Sequence, residues 1–369
     1  MGRSYSTRLA LASVVSFLTN LSSCFLPHLS VESAAFSRFQ RASDEGAASD
    51  DGPYSYSSTS IKQTQAQAFI RKREGEGLRV AHVIEAQAQP RSVDYLSITL
   101  FALIMSVALV AVPAFGYFVG YTWLDWTLMV ILYYVSGMGI TVGYHRLISH
   151  RSFECRPWVK VALLIAGGWA LENSAYKWCA DHVRHHARCD QEEDPYNATR
   201  GFWYSHLLWI FYKSRPELNE KYEIQFRKDP LVMWQYRYYV PIVLSGLAVP
   251  FLAGYLYNGW MSGLGCFLLA GVARTFLVLN STFCINSICH LWGDQPHTGA
   301  DSSRDNWFIS LLTFGEGYHN YHHAHQRDYR NGPRWYNFDP SKWFIFFLSV
   351  TGMASNLCRI QPERVRYQE

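Results

Sequence analysis

Charged side chains and closely spaced cysteines are both scarce in this chain. Lys, Arg, Asp and Glu make up 17% of its 369 residues, and the eight cysteines include no Cys-x-x-Cys pair. Dispersed cysteines argue against a disulfide framework and against a thiolate zinc site. No long Lys/Arg run and no nucleic-acid-binding motif accompany the net charge of +4, which argues against a nucleic-acid partner.

Several catalytic signatures are also missing. His-Glu-x-x-His does not occur, which excludes the common helical zinc-protease site. No glycine-rich dinucleotide motif occurs, so an oxidoreductase reaction would need electrons from another protein. Glu316-x-x-His319 is the only copy of Glu-x-x-His, whereas soluble di-iron bundles use two, and that architecture is rejected.

Long charge-free runs predict membrane spans. Tyr95–Leu124 and Trp126–Tyr144 contain no charged residue, and each can cross a hydrocarbon core of about 30 Å. Only Asp125 and its neighbours separate them, which indicates a hairpin. Tyr238–Ala273 is also uncharged but too long for one crossing, so we place a break at Asn258-Gly259 and predict a second hairpin.

These runs predict an all-α integral membrane protein with four transmembrane helices in two hairpins. The predicted spans are residues 95–118, 126–144, 238–257 and 260–284. The hairpin tips contain no Lys or Arg, whereas the segment from His145 to Arg237 contains fourteen. The positive-inside rule therefore puts a helical, histidine-rich domain on the cytosolic or stromal side.

The N-terminal ninety residues are predicted to lie outside the folded domain. Residues 1–36 have the layout of a signal or targeting segment, because Arg3 and Arg8 precede an apolar stretch and Ser33-Ala34-Ala35 offers small residues for cleavage. Residues 37–90 are rich in Ser, Gln and Gly, as in a disordered linker or a transit region. Acidic residues such as Asp44 fit a transit peptide poorly, so the endoplasmic reticulum and a plastid both remain open as locations.

Nine of the fourteen histidines fall in four short groups. Two groups have the helical spacing i, i+3, i+4, which directs three rings from one face of a helix. The groups are His182, His185 and His186; His319, His322 and His323; the pair His145 and His150; and His290, which follows Asn286 by one turn. Neutral imidazole is a common ligand for transition metals, and nine rings are too many for one ion but suit two.

The spacing of His145 and His150 fits less well, because five residues turn a regular helix by about 140°. The pair can share a target only if the helix end departs from regular geometry or two metals lie between the rings. Acidic residues that could accept hydrogen bonds from ring N–H groups follow the second group at Asp190, Glu193 and Asp194.

Ligand type alone leaves zinc, copper, nickel and iron open. Location favours an oxidative reaction, because a histidine-rich site on a membrane face is suited to activating dioxygen against an unreactive C–H bond of a lipid. A metal transporter is the alternative from another class. Transport would want ligands inside the spans, where Arg274 is the only charge, so we rank it far behind.

Three runs resemble the membrane acyl-CoA delta-9 desaturases, the stearoyl-CoA desaturase family. They are His145-Arg-Leu-Ile-Ser-His150-Arg-Ser-Phe, Asn286-Ser-Ile-Cys-His290-Leu-Trp-Gly and Gly315-Glu-Gly-Tyr-His-Asn-Tyr-His-His323. The similarity covers roughly Tyr95 to Gly352, within a membrane fatty acid desaturase domain expected over residues 91–360. It is specific because it extends beyond the histidines, to Arg304-Asp305-Asn306 and to Asp328-Tyr329-Arg330-Asn331-Gly332.

The resemblance implies a di-iron centre facing the cytosol. Its expected ligands are His145, His150, His182, His185, His186, His290, His319, His322 and His323, with a water held by Asn286. It also implies dioxygen as co-substrate, electrons from cytochrome b5 or from ferredoxin with its reductase, and a bent tunnel that presents C9–C10 of a stearoyl or palmitoyl chain.

Substrate contacts are likewise implied only by the resemblance. Asn173, Trp178 and Asp181 match residues at the thioester end of the acyl-CoA site. Tyr133 and Gly137 match the closed end of the tunnel, where a small residue leaves room for a long chain.

The sequence departs from the animal enzymes at three such positions. Ala180 replaces an arginine near the CoA moiety, Tyr196 replaces a histidine, and Phe283 replaces a tryptophan. Acyl-CoA, acyl carrier protein and glycerolipid therefore all remain open as carriers. An acyl-lipid or sphingolipid desaturase, or a hydroxylase on the same scaffold, is the nearest alternative.

Overall fold

A computed structural model describes residues 92–213 and 216–360, and its regular structure is almost entirely helical. The predicted targeting segment and linker lie outside the described residues. The helices are α1 (Tyr95–Phe118), α2 (Trp123–Ser149), α3 (Pro157–Gly168), α4 (Ala175–Arg188), α5 (Phe202–His206), α6 (Pro216–Arg227), α7 (Pro230–Arg237), α8 (Tyr239–Cys266), α9 (Arg274–Leu291), α10 (Trp307–Leu312), α11 (His319–Ala324) and α12 (Pro340–Val350).

Three wider, π-helical segments interrupt the α-helices. They are Val107–Ala111 inside α1, Gly139–Ser149 at the end of α2, and Phe267–Ala273 between α8 and α9. Short 3-10 turns occupy Ala198–Arg200 and Leu208–Phe211. Two short strands, β1 (Glu154–Cys155) and β2 (Ala354–Ser355), pair antiparallel and tie the segment after α2 to the end of the described chain.

Three helical segments of the described residues are long and apolar enough to cross a membrane: Tyr95–Phe118, Trp123–Ser149 and Tyr239–Leu291. The acid between the first two apolar runs belongs to the first turn of α2, whose N-cap is Thr122. Asp125 is buried, and its Oδ2 accepts hydrogen bonds from the backbone N–H (2.6 Å) and Oγ1 (2.7 Å) of Thr122, which closes a capping box at the start of α2. Asp125 thus stabilises the start of α2.

The third helix is 53 residues long, which at about 1.5 Å per residue far exceeds a hydrocarbon core. Its backbone leaves helical geometry at the predicted position, with φ −153° at Asn258 and φ +73° at Gly259. A Cβ placed on Gly254 would lie 2.4 Å from the carbonyl oxygen of Ser262 and 2.7 Å from Sγ of Cys266. The chain therefore folds back on itself there, with small residues at the contact.

Glycines bring α2 and α3 into direct backbone contact. A Cβ on Gly139 would lie 2.1 Å from the backbone nitrogen of Gly167, and a Cβ on Gly167 would lie 2.5 Å from the ring of Tyr144. The buried Tyr144 hydroxyl accepts a hydrogen bond from Gln235 of α7. This contact fixes the end of α2, which carries the first histidine pair, against the helices beneath it.

The surfaces of the long helices are apolar where they face outward. On α1, Leu109, Val110, Tyr117 and Phe118 are exposed, and Trp123 is exposed at the start of α2. Such a contiguous apolar surface is unusual for a protein in water and is expected where lipid covers it. The expectation of an all-α membrane protein is supported to this extent.

Replacing Gly139 by Ala tests the α2–α3 contact. The new methyl group would meet backbone atoms that cannot move aside, so we expect a loss of at least ~1–3 kcal/mol of stability. Gly271→Ala is the matched control, because a Cβ there lies 3.5 Å from its nearest neighbour and Ala favours a helix by up to ~1 kcal/mol. Melting temperatures in detergent should fall for the first variant alone, and equal values would contradict the close contact.

Candidate metal centre

The π-helical end of α2 brings the first two histidines together. In this geometry backbone N–H groups bond five residues back, and the N–H of His150 donates to the carbonyl of His145 at 3.1 Å. Residues five apart then lie on nearly the same face, and the two ring centroids are 4.8 Å apart. The sequence analysis required the helix to depart from regular geometry if His145 and His150 were to share a target, and this wider turn is that departure.

The three histidines of α4 divide between two directions. His182 and His186 lie one turn apart with their Nε2 atoms at 3.1 Å, and Nε2 of His182 is 2.7 Å from that of His150. His185 points elsewhere, and its ring lies 5.1 Å from His290. One helix therefore supplies two neighbouring sites.

The short helix α11 divides in the same way. Nε2 of His322 lies 3.0 Å from that of His145 and 2.9 Å from that of His186. Nε2 of His319 lies 3.1 Å from those of His290 and His323.

All nine histidines therefore form two compact groups. The five-histidine group contains His145, His150, His182, His186 and His322; the four-histidine group contains His185, His290, His319 and His323. Within each group the candidate ligand atoms lie within 4.8 Å of one another. The groups adjoin, since the ring centroids of His186 and His323 are 4.3 Å apart.

Acceptors on the outer side of four rings fix which nitrogen points inward. They are Glu316 (2.7 Å from Nδ1 of His145), Asp194 (2.9 Å from Nδ1 of His185), Ser302 (2.8 Å from Nδ1 of His290) and Asp301 (2.9 Å from Nδ1 of His323). An Nδ1 beside an acceptor carries the proton, so Nε2 presents a lone pair to the interior. Facing lone pairs about 3 Å apart repel unless a cation lies among them.

The donor set thus fits a transition-metal ion in each group. Nε2 of His185 is buried with no hydrogen-bond partner among the described residues, as expected of an atom that ligates a metal. Burial lowers the pKa of His182, His186, His319 and His322 well below the usual value, and repulsion from neighbouring rings lowers it further. These rings are neutral at pH 7, which is the form that binds metals.

A buried ion-pair network supports the five-histidine group on the outer side of His145. Arg146, next to His145, bonds to Oε1 of Glu316 at 3.0 Å and lies 3.0 Å from Oδ1 of Asp339. Nδ2 of Asn331 donates to the other oxygen of Glu316 at 2.6 Å. The network ties α2 to the loop before α11 and to the start of α12.

A mostly apolar cavity adjoins both groups, and it is lined by residues of α2, α4 and α9. Four of the candidate ligands form part of its wall: His145, His182, His185 and His319. Three of the five predicted substrate residues also line it, namely Tyr133, Gly137 and Trp178. Phe314 covers Gly137, because a Cβ on that glycine would lie 2.0 Å from the phenylalanine ring.

The other sequence-predicted residues lie in different settings. Asn286 lines the cavity and lies one helical turn before His290 on α9. Asn173 and Asp181 are not among the described residues that line it; Asn173 is exposed with φ +86°, and Asp181 lies 3.3 Å from Arg184. Glu193, expected beside a histidine, pairs instead with Arg188 at 3.5 Å.

The residues that mark departures from the animal enzymes are all buried. Ala180 is fully buried, and the Tyr196 ring lies 5.1 Å from the ring of His185. Phe283 packs on Phe101 of α1 at 6.2 Å.

Sequence reasoning missed a second carboxylate at the cavity. Glu172 accepts hydrogen bonds from Oγ1 of Thr282 (2.7 Å) and Nε1 of Trp178 (3.1 Å), and both donors belong to residues that line the cavity. Burial raises the pKa of Glu172 to about 8. Asp301 and Ser302 were also missed, because they lie in a loop where no periodicity marks them.

Comparison with known proteins gives a family match and several relatives. The family model for "Fatty acid desaturase" matches residues 121–340. A "Probable acyl-CoA desaturase" of Schizosaccharomyces pombe is 42% identical over 62% of this chain and 48% of its own length. "Acyl-CoA desaturase 1" of Saccharomyces cerevisiae is 39% identical over 64% of this chain and 46% of its own.

A third relative is matched over most of its length. The "sn-2 palmitoyl-lipid 9-desaturase" of Nostoc sp. is 34% identical over 73% of this chain and 92% of its own. The chain spans about half the length of the two yeast relatives.

Replacing Arg146 by Met tests the buried network without any metal. The change leaves Glu316 and Asp339 buried without their cation, which should cost ~3–5 kcal/mol. Arg200→Met is the control, because Arg200 pairs with the exposed Glu192 and such a pair is worth ~0–1 kcal/mol. Melting of the metal-free protein in detergent measures both. A variant at Arg146 as stable as the control would show that the network contributes nothing to folding.

Proposed function

Because the chain belongs to the fatty acid desaturase family, we propose that it is an oxidoreductase that introduces a double bond into a saturated fatty acyl chain. One observation carries the proposal: two adjoining histidine groups form part of the wall of an apolar cavity. The reaction removes two hydrogen atoms from the chain. With two electrons from a donor protein and two protons, dioxygen is reduced to two molecules of water.

Two iron ions are the proposed cofactors, one in each histidine group. Bound iron would activate dioxygen for attack on an unactivated C–H bond. The chain's own residues orient the ligands through Glu316, Asp194 and Asp301, and the apolar wall around them excludes water from the reaction. Asn286, one helical turn before His290, is proposed to hold a water.

We propose four transmembrane helices in two hairpins, with the histidine domain on the cytosolic or stromal face. The break at Asn258 and Gly259 supports two crossings in the third long helix, because the part before the break has the length of one span and the part after it is long enough to span and extend beyond the membrane. A membrane of the endoplasmic reticulum or of a plastid suits both the targeting segment and the substrate.

The proposed substrate is an 18- or 16-carbon acyl chain, desaturated at the delta-9 position, carried on CoA or in a lipid. The relatives are named as acyl-CoA and as acyl-lipid desaturases, so the names support both carriers. We propose that Trp178, whose ring stacks on that of His182 at 5.0 Å, contacts the thioester end of the substrate, and that Tyr133 and Gly137 lie near the methyl end. Asn173 and Asp181 remain proposed contacts of the carrier.

The electron donor is proposed to be cytochrome b5 or ferredoxin, with its reductase. Such a donor is required because the described residues contain no dinucleotide-binding motif. The two donors suit different locations, so the donor that supports turnover would also identify the membrane.

Expression in a yeast that lacks its own delta-9 desaturase tests the proposed function. We expect growth without added oleate and delta-9 products by mass spectrometry.

Single replacements by Ala at His182, His186, His290, His319 or His323 should abolish desaturation while the protein still accumulates in membranes, because the helices bury their apolar faces without the metal. His206→Ala, outside both groups, is the control and should retain activity. Activity in two or more of the five variants would contradict the di-iron assignment.

Chain length is tested at Gly137, which lines the cavity under Phe314. Gly137→Leu should shift products from 18 toward 16 carbons, because each excluded methylene forfeits ~0.8 kcal/mol, about fourfold in preference. Phe314→Ala enlarges the same region and should shift products the other way. If Gly137 serves only helix packing, its variant should lower yield and activity on all chain lengths alike. A variant that accumulates normally with an unchanged product ratio would contradict the placement of the methyl end.

A further inference from the structure

The two histidine groups differ in the charge that surrounds them. In the four-histidine group, Oδ1 of Asp194 lies 2.9 Å from Nδ1 of His185, and Oδ2 of Asp301 lies 2.9 Å from Nδ1 of His323. Asp194 is fully buried, and Asp301 is largely buried. Two rings of this group are therefore hydrogen-bonded directly to carboxylates.

A third carboxylate reaches the same group through a hydroxyl. The hydroxyl of Ser302 donates to Oδ1 of Asp190 at 2.6 Å. Because the hydroxyl proton is used in this way, Oγ of Ser302 accepts a hydrogen bond from Nδ1 of His290 at 2.8 Å. The backbone N–H of Ser302 donates to the other oxygen of Asp190 at 2.7 Å, so the bridge is held in place.

None of these three carboxylates is paired with Lys or Arg within the described residues. Besides their contacts with histidine and serine, they accept hydrogen bonds from backbone N–H groups, such as that of Tyr196 to Asp194 at 3.0 Å. Their negative charge is therefore directed at the four-histidine group.

The five-histidine group has a different surrounding. Glu316 is the only carboxylate of the described residues within hydrogen-bond distance of its rings, 2.7 Å from Nδ1 of His145, and the same carboxylate is shared with the buried Arg146. The Nδ1 atoms of His186 and His322 are buried without a hydrogen-bond partner among the described residues, whereas in the four-histidine group this holds for Nδ1 of His319 alone. Arg146 also adds a positive charge next to this group.

We propose that the four-histidine group binds its metal ion more tightly than the five-histidine group, so that the protein acquires and loses its two ions in a fixed order. The inference rests on the proposed function only in taking both groups as metal sites. Neutral imidazoles bring no charge, so nearby carboxylates decide how well each site offsets a divalent cation in a buried setting.

The expected size of the difference follows from the count of supporting acceptors. Each outer hydrogen-bond partner of a ligating histidine is typically worth 10–100-fold in metal affinity, and the groups have three and one. The additional imidazole of the five-histidine group opposes this, while Arg146 adds to it. We therefore expect a net difference of at least about tenfold.

Metal release from the full-length protein tests the order. The protein, purified in detergent and loaded with Fe²⁺ or Co²⁺, is dialysed against increasing chelator, and metal per chain is measured by plasma mass spectrometry. We expect a plateau at one ion per chain, with the second ion released at a free chelator level at least about tenfold higher. Release of both ions in one step would overturn the proposal.

Ligand variants identify the ion that stays. His150→Ala, which alters the five-histidine group, should keep the tightly held ion, whereas His290→Ala should lose it. The opposite pattern would overturn the proposal.

Isosteric variants test the cause. Asp194→Asn and the smaller change Ser302→Ala should each release the tightly held ion about 10–100-fold more readily. Glu316→Gln is the matched change at the other group and should affect only the ion released first. If Asp194→Asn and Ser302→Ala leave the plateau unchanged, the carboxylates do not set the order and the proposal fails.

The same material separates this inference from the proposed function. Ordered release of two ions by a protein that makes no unsaturated product would overturn the desaturase assignment and leave the inference standing. One-step release by an active desaturase would overturn the inference and leave the desaturase assignment standing. A protein that holds no metal would overturn both the inference and the desaturase assignment.

Discussion

The arrangement depends on one constraint: nine imidazole rings, eight of them buried, are held so close together that several facing Nε2 atoms lie about 3 Å apart. Lone pairs at that distance repel, so the protein part of the structure must hold the rings together without help from their mutual contacts. It does so from outside, through acceptors such as Glu316 and Asp194 and through the buried Arg146. A cation in each group would accept these lone pairs, so that the nitrogens would bind the cation instead of repelling one another.

The wide turn at the end of α2 shows how backbone geometry serves that constraint. A regular helix would separate His145 and His150 by about 140°, whereas the π-helical turn brings both into the five-histidine group. The turn starts at Gly139, where α2 also touches the backbone of α3. Close packing at a glycine and the altered helix thus occur together, so the position of the ligand pair is fixed by the core beneath it.

Sequence reasoning found the parts of the centre that follow helical periodicity. The spacing of His182, His185 and His186 predicts one face of a helix, and the break at Asn258 followed from length. Periodicity could not reveal that His185 belongs to a different group from its neighbours, because a turn of 100° per residue spreads three rings over a wide arc and only the positions of α9 and α11 decide where each arrives. The contacts of Asp301 and Ser302 with the histidines could not be predicted from the sequence, because loop residues approach the histidines only through the tertiary fold.

The cavity wall and the metal centre form one mechanical unit at Trp178. Its indole stacks on His182, a member of the five-histidine group, and its Nε1–H is held by Glu172, which also accepts from Thr282 of α9. A side chain fixed at both its ring face and its N–H cannot yield to a bulky occupant without moving a ligand. The cavity wall beside His182 is therefore rigid. The region around Gly137 is closed by the Phe314 ring, and no hydrogen bond can hold a phenylalanine side chain in place. Under the proposed function, a rigid wall is needed beside His182, where a particular C–H bond would meet the metal centre, and a yielding wall is suited to the region of Gly137, where chains of different length would end.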